Sequence, residues 1–207
     1  MERAKPDQRR EAGQRTRERL IDAALALLAE RGQEGVTLRA IIERAKANVA
    51  AVSYHFGSLS SLCDAAVERA LGRYLDAQYS ELRVLGPKPT VEQVAAAFAG
   101  PTIRALSGGG PDLAVRRIVA RTAIDPPEGW RRLEATFEQI RADVIHALRG
   151  RLPGITDREL VFRIRCVAGL LNWLVLAPVG SEVRGKSEKQ IERLVVPPLV
   201  GIFRGGA

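Results

Sequence analysis

The 207-residue chain contains two cysteines, two histidines and no long uninterrupted apolar run. Cys63 and Cys166 lie far apart, with no C-x-x-C and no metal-ligand spacing. That argues against a disulfide framework or a structural zinc site, and for two thiols in a reducing compartment. His55 and His146 have no nucleophile–base or metal constellation around them in the sequence, so an enzyme is not expected, and nothing implies a cofactor. The longest apolar run, Cys166 to Val179, is interrupted by Asn172 and Pro178 and falls short of the roughly 18 apolar residues of a membrane span. The opening MERAKPDQRREAGQRTR has no apolar signal core. A soluble, cytoplasmic protein with no membrane partner is the expectation.

What is present is an ordinary globular composition, 46% hydrophobic and 27% charged. The length allows one large domain, or a small one beside a larger one. The net charge of +8 favours a polyanionic partner. Residues 1–85 carry 14 Lys/Arg against 12 Asp/Glu, however, and residues 86–207 carry 18 against 12. The excess is in the C-terminal part, so charge alone does not locate a binding surface.

A motif does. Thr37 to Leu62 reads TLRAIIERAKANVAAVSYHFGSLSSL, two short helical patterns separated by a few residues. Thr37 suits an N-cap, because its hydroxyl can accept from a free amide of the first turn. Leu38, Ile41, Ile42 and Ala45 then form one apolar face. Asn48 suits a second cap, and Val52 and Phe56 face inward one turn apart. Val49, Ala50, Ala51, Ser53 and Tyr54 are left outward. Helices this short cannot stand alone, so the pair reads as a helix-turn-helix whose second helix lies in a DNA major groove.

The remaining chain is read as helices as well. Residues 1–14 form an Arg-rich disordered arm, either a minor-groove arm or a solvated tail. A helix from Arg15 presents Leu20, Ile21, Ala24, Leu27 and Leu28 and ends at Arg31-Gly32. Another runs from about Leu59 to Arg83. After Gly86–Pro89, Thr90 caps a helix to about Leu106, kinked or split at Gly100-Pro101. Ser107–Pro111 is the most flexible stretch. Asp112 caps a helix stopped at Asp125–Pro127, and further helices follow at Glu128–Arg149 and Arg158–Ala177. The last runs from Ser187 to about Val196, where Pro197-Pro198 stops it. With no convincing strand, the expected fold is all-α with about nine helices. Residues 1–14 form the arm, 15–58 a helix-turn-helix domain, and 59–207 a C-terminal helical bundle.

The stretch from about Arg17 to Leu71 resembles, without a gap, the DNA-binding domain of the TetR/AcrR family of bacterial repressors. The matching parts are Thr37 opening the first helix, Glu43-Arg44-Ala45 before the turn, and the YHF-G-S ending at Ser58. NVAAVSYHFGS is similar to a branch whose usual form reads NVAAVNYHFGSK. RRIVARTAIDPP and LPGITDRELVFRIRCVAGLL are similar to the same, PsrA-like branch, which is associated with long-chain fatty acids or related acyl ligands. The resemblance implies a ligand-responsive regulator, most simply a repressor, that binds a palindromic double-stranded DNA operator as a homodimer and is released by a small hydrophobic effector. It places the effector in the C-terminal bundle and the dimer contact on the last two long helices, with the 59–83 helix carrying the signal.

Carried over position by position, Val49, Ala50, Ala51, Ser53 and Tyr54 face base edges or the DNA backbone, the Ala and Val methyls suiting the thymine methyl. Asn48 to His55 would lie in the groove, and the charge of Lys46 makes it a further candidate DNA contact. Thr37, Tyr54 and His55 would hold phosphates, fixing register. The chain departs from the family pattern at Leu59, usually Lys; at Lys46, usually Gly, where left-handed strain is expected; and at Ala47, usually Val. These departures leave a second reading open, a ligand-binding module with weakened or altered DNA recognition. In the bundle, Phe98, Ile103, Val115, Ile118, Val119, Phe137, Ile140 and Val144 line a ligand cavity or form solid core. Arg121 either holds a carboxylate bidentately or pairs with Asp125. Asn172 and Trp173 are assigned to the dimer contact.

Overall fold

The computed structural model of the protein describes residues 6–32, 35–123, 134–177 and 182–205. Among these residues the chain is all-α, with nine helices and no strand. It divides into two compact units, Met1–Ala70 and Leu71–Ala207. The division falls within a single continuous helix that runs from Leu59 to Arg83.

The first unit comprises α1 (Pro6–Arg31), α2 (Leu38–Ala45), α3 (Val49–Phe56) and the opening turns of α4 (Leu59–Arg83). Helix α1 starts at Pro6 and not at Arg15, so residues 6–14 are not the disordered arm expected; residues 1–5 lie outside the described chain. A proline in the first helical turn loses no bond, since its missing N–H would be unpaired there anyway. Local pairs then carry the helix forward: Glu11 with Arg15 at 3.7 Å, and Gln14 donating to Glu18 at 2.6 Å. The core face is the one the spacing predicts, with Leu20, Ile21, Ala24, Leu27 and Leu28 buried. Helix α2 packs on this face through the fully buried Ile41 and through Ala45. Truncating a residue like Ile41 to Ala costs roughly 2–5 kcal/mol.

The second unit contains the rest of α4, then α5 (Val91–Gly108), α6 (Gly110–Thr122), α7 (Glu134–Arg149), α8 (Asp157–Leu176) and α9 (Glu188–Arg204). Helix α5 packs against α9 and α6, and α8 against α6 and α7. Their shared core holds Phe98, Val144, Leu160, Leu171, Leu199 and Phe203. Thr90 opens α5 with a reciprocal capping box: the Thr90 hydroxyl accepts from the Gln93 amide at 3.2 Å, and Gln93 Oε1 accepts from the Thr90 amide at 2.8 Å. Pro101 sits inside α5 without ending it. Gly100 beside it leaves room for the Glu81 carboxylate, which a Cβ there would push aside and which is paired with Arg104.

Three boundaries differ from the sequence reading. The Ser107–Pro111 run shrinks to one non-helical residue, Gly109, at φ 64° and ψ −145°, and Asp112 falls in the first turn of α6 without capping it. Helix α9 continues through Pro197-Pro198. Those prolines free the carbonyls of Arg193 and Leu194, which stand on an exposed face, while Val195, Leu199 and Phe203 continue the buried stripe. The expected stop at Asp125–Pro127 and the helix start at Glu128 lie outside the described residues. Both cysteines are free thiols. Among the described residues no helix is long and apolar enough to cross a membrane.

Candidate nucleic-acid interface and ligand cavity

In the first unit, two side-chain caps fix the helix-turn-helix. Thr37 Oγ1 accepts from the Ala40 amide at 3.2 Å and opens α2. Asn48 Oδ1 accepts from the Ala51 amide at 2.8 Å and opens α3. Between them the chain turns on Lys46, at φ 49° and ψ 48°. It is the single non-glycine residue with positive φ among the described residues. The left-handed residue lets the next amide, that of Ala47, reach back to the Ile42 carbonyl at 3.0 Å and close α2. The strain foreseen for a residue with a Cβ is present, at about 1–2 kcal/mol before compensation.

Helix α3 buries Val52 and turns one face to solvent. Tyr54 is 84% exposed and Val49 50%, and Asn48, Ala50 and Ser53 are exposed beside them. Ala51 and His55 are half-buried. The His55 ring meets Tyr54 edge-on, with centroids 4.9 Å apart. The Arg17 guanidinium of α1 lies 5.2 Å from the centre of the Phe56 ring and steadies the end of α3. Thr37 and Lys46 are also exposed. Of the nine residues singled out for DNA, Val49, Ala50, Ala51, Ser53, Tyr54 and His55 lie on α3 and Asn48 caps it, while Lys46 forms the turn before it and Thr37 opens α2. Arg44, by contrast, is taken up by Glu30 at 2.9 Å.

The second unit contains a partly open cavity of about 900 Å³, lined mainly by apolar side chains. Four of the residues expected there line it: Phe98, Val119, Phe137 and Ile140. Ile103, Ile118 and Val144 do not; they are buried in solid core. Val115 lies away from it as well, on a smaller recess. Arg121 is exposed and lines no part of the cavity. Asp125, its alternative partner, lies outside the described residues.

The arginine that does line the cavity is Arg116, one turn and a residue earlier, and only 2% exposed. Its Nε donates to Thr102 Oγ1 at 2.8 Å and its Nη2 to Asn172 Oδ1 at 2.7 Å. Its guanidinium carbon sits 4.7 Å from the centre of the Tyr74 ring. Burial pulls its pKa below the usual arginine range, with Tyr74 opposing the shift. Asn172, expected at a subunit contact, is thus a partner of Arg116, and it lines the cavity together with the half-exposed Trp173. Sequence reading missed Tyr74, Gln78 and Arg116. A signal for Arg116 existed: Val119 and Ala120, three and four residues on, are buried on its face.

A family model described as bacterial regulatory proteins of the tetR family matches residues 20–66, the stretch containing α2 and α3. A second, described as the tetracyclin repressor-like C-terminal domain, matches residues 96–195. The chain belongs to the TetR family. Solved structures of similar fold include the TetR-family transcriptional regulator PfmR from Thermus thermophilus, at 20% identity and TM-score 0.63, covering 92% of this chain and 97% of that one. A transcriptional regulator from Rhodococcus sp. RHA1 aligns at 20% identity and TM-score 0.63, over 90% and 95% of the two chains. A TetR-like transcriptional regulator from the same source aligns at 14% and 0.64, over 92% and 97%. No curated protein sequence matches the chain significantly.

TetR-family membership accounts for the two-unit organisation, with the helix-turn-helix in the first unit and the cavity in the second. None of these matches carries the narrower acyl-responsive branch, which rests on the two sequence stretches alone.

Proposed function

We propose that this TetR-family protein is a ligand-responsive transcriptional repressor that binds a palindromic DNA operator as a homodimer and is released by a small hydrophobic effector. The observation that carries the reading is α3, a capped eight-residue helix that leaves Val49 and Tyr54 open to solvent. Large apolar side chains on a helix this short are placed for a partner surface, and methyl and aromatic groups suit the thymine methyl and the sugar–phosphate edge. Thr37, Tyr54 and His55 would hold phosphates, Lys46 and Asn48 would flank them, and Val49, Ala50, Ala51 and Ser53 would meet base edges.

Phe162, Trp173 and Leu194, 66%, 55% and 49% exposed on α8 and α9, support a homodimer contact through those helices. The apolar cavity supports a hydrophobic effector, an acyl chain among the candidates. Tyr74 and Gln78, on the later turns of α4, line it, so an effector would bear directly on that helix. Release then follows if the effector binds more tightly to a conformer with low operator affinity.

The test is selection of genomic fragments on the purified protein near physiological salt. One recovered palindrome, bound at least tenfold more weakly by Tyr54→Ala or His55→Ala, is the expected result. Leu59 motivates a second reading, since it is a half-buried leucine where the family pattern has a phosphate-facing lysine. If the protein is a ligand-binding module with weakened recognition, the selection returns no shared sequence and binding shows only a salt-dependent component.

A further inference from the structure

A buried guanidinium with only neutral partners is an uncompensated charge. Among the described residues Arg116 meets a hydroxyl, an amide oxygen and an aromatic ring, but no carboxylate. Its Nη1 is buried and has no hydrogen-bond acceptor. An unpaired ion in a low-dielectric interior is strongly disfavoured unless something supplies the opposite charge. The wall around it has the same sign: among the described lining residues Arg116, Arg141 and Arg165 face a single acid, Glu134. Among the described residues, Arg141 is the one of these three with an acidic partner of its own, Glu138 at 2.7 Å. The remainder of the wall is mostly apolar, with Phe98, Phe137 and Trp173 supplying aromatic surface.

From this we infer that the cavity takes an organic acid, an apolar body carrying one carboxylate, with the carboxylate held by Arg116. The inference rests on reading the cavity as an effector site and adds the charge class of the effector. A carboxylate accepts two parallel N–H bonds from a guanidinium, a geometry that neither Thr102 nor Asn172 can offer alone. Because Nη1 is closed to water, the headgroup reaches the guanidinium by displacing a neutral partner. Asn172 Oδ1, on Nη2 and at the cavity wall, is the acceptor it replaces. Tyr74 stays beneath the guanidinium plane and keeps it in place. A neutral ligand of the same shape would leave the charge as it is, so discrimination between acid and ester is the signature.

The experiment measures displacement of Nile red, a neutral dye that fluoresces in apolar sites, from the purified full-length protein. The competitors are two matched pairs: dodecanoate with methyl dodecanoate, and 2-naphthoate with methyl 2-naphthoate. At least one acid is expected to displace the dye at a concentration tenfold or more below its ester. Arg116→Met is expected to keep dye binding and abolish the preference, and Arg116→Lys to keep part of it. Equal displacement by acid and ester in the unmodified protein overturns the inference, as does an undiminished preference in Arg116→Met. If Arg116→Met does not fold, by its helical circular dichroism, the acid–ester comparison in the unmodified protein decides alone. Failure of the dye to bind, or of both acids to displace it, also overturns the inference. An acid preference with operator affinity unchanged by the acid would instead sink the regulatory reading and leave the headgroup site standing.

Discussion

Arg116 on α6 donates through Nη2 to Oδ1 of Asn172 on α8, 2.7 Å away and 56 residues on. Since its Nε also binds Thr102 of α5, one buried cation ties three helices at the cavity wall. Removing a partner leaves a charged donor buried and unpaired. Asn172→Leu is therefore expected to destabilise the protein by about 1–3 kcal/mol. Urea unfolding followed by circular dichroism checks this, with the midpoint falling at an unchanged m-value. A loss under about 0.5 kcal/mol would mean that water or a rearranged neighbour replaces Asn172.

Lys46 predicts two effects of opposite sign. At φ 49°, Lys46→Gly relieves the left-handed strain, and the net gain should be about 0.5–1 kcal/mol after the extra chain entropy of glycine. The same change removes an exposed positive charge beside α3. Operator binding should weaken, and the dependence of log affinity on log salt should flatten by about one counterion. A variant that is more stable with an unaltered salt slope would show that Lys46 does not approach a phosphate.

Asn48 is expected to act through the helix it caps. Asn48→Ala removes the acceptor of the Ala51 amide and should cost about 0.5–2 kcal/mol. Hydrogen exchange is the direct check, with protection lost at Ala51 and its neighbours before the rest of the first unit opens. Asn48→Asp should retain most of the protection, since a carboxylate also caps.

Tyr54 should separate binding from folding. At 84% exposure, its removal has little to disturb, and Tyr54→Ala should stay within about 0.5 kcal/mol of the unmodified protein. Affinity for the selected operator should fall at least tenfold in a fluorescence anisotropy titration. Equal loss of stability and affinity would place Tyr54 in the support of α3 and not at the DNA.

The helix-turn-helix was legible because short-range rules govern it. Thr37 and Asn48 cap within three residues, Ile41 and Val52 mark the buried faces, and the left-handed turn at Lys46 is a local steric matter. The cavity was legible only in part. Phe98, Val119, Phe137 and Ile140 line it, but Ile103, Ile118 and Val144 have the same apolar character and fill solid core. Periodicity reports which side of a helix is buried, and not whether the space beyond is filled. Apolar neighbours in sequence point to Arg121, and the sequence alone does not single out Arg116. The deciding contacts, Thr102 and Asn172, come from helices 14 and 56 residues away. Helix α9 outran its prolines because their exposed face lets water take the freed carbonyls, a tertiary fact hidden in the dipeptide itself.

The most direct test of the account is operator affinity with and without a saturating concentration of the acid that displaces Nile red most tightly. Operator affinity is expected to fall at least tenfold with the acid and to show no comparable change with its methyl ester. Tight occupancy of the cavity with operator affinity unchanged would contradict it.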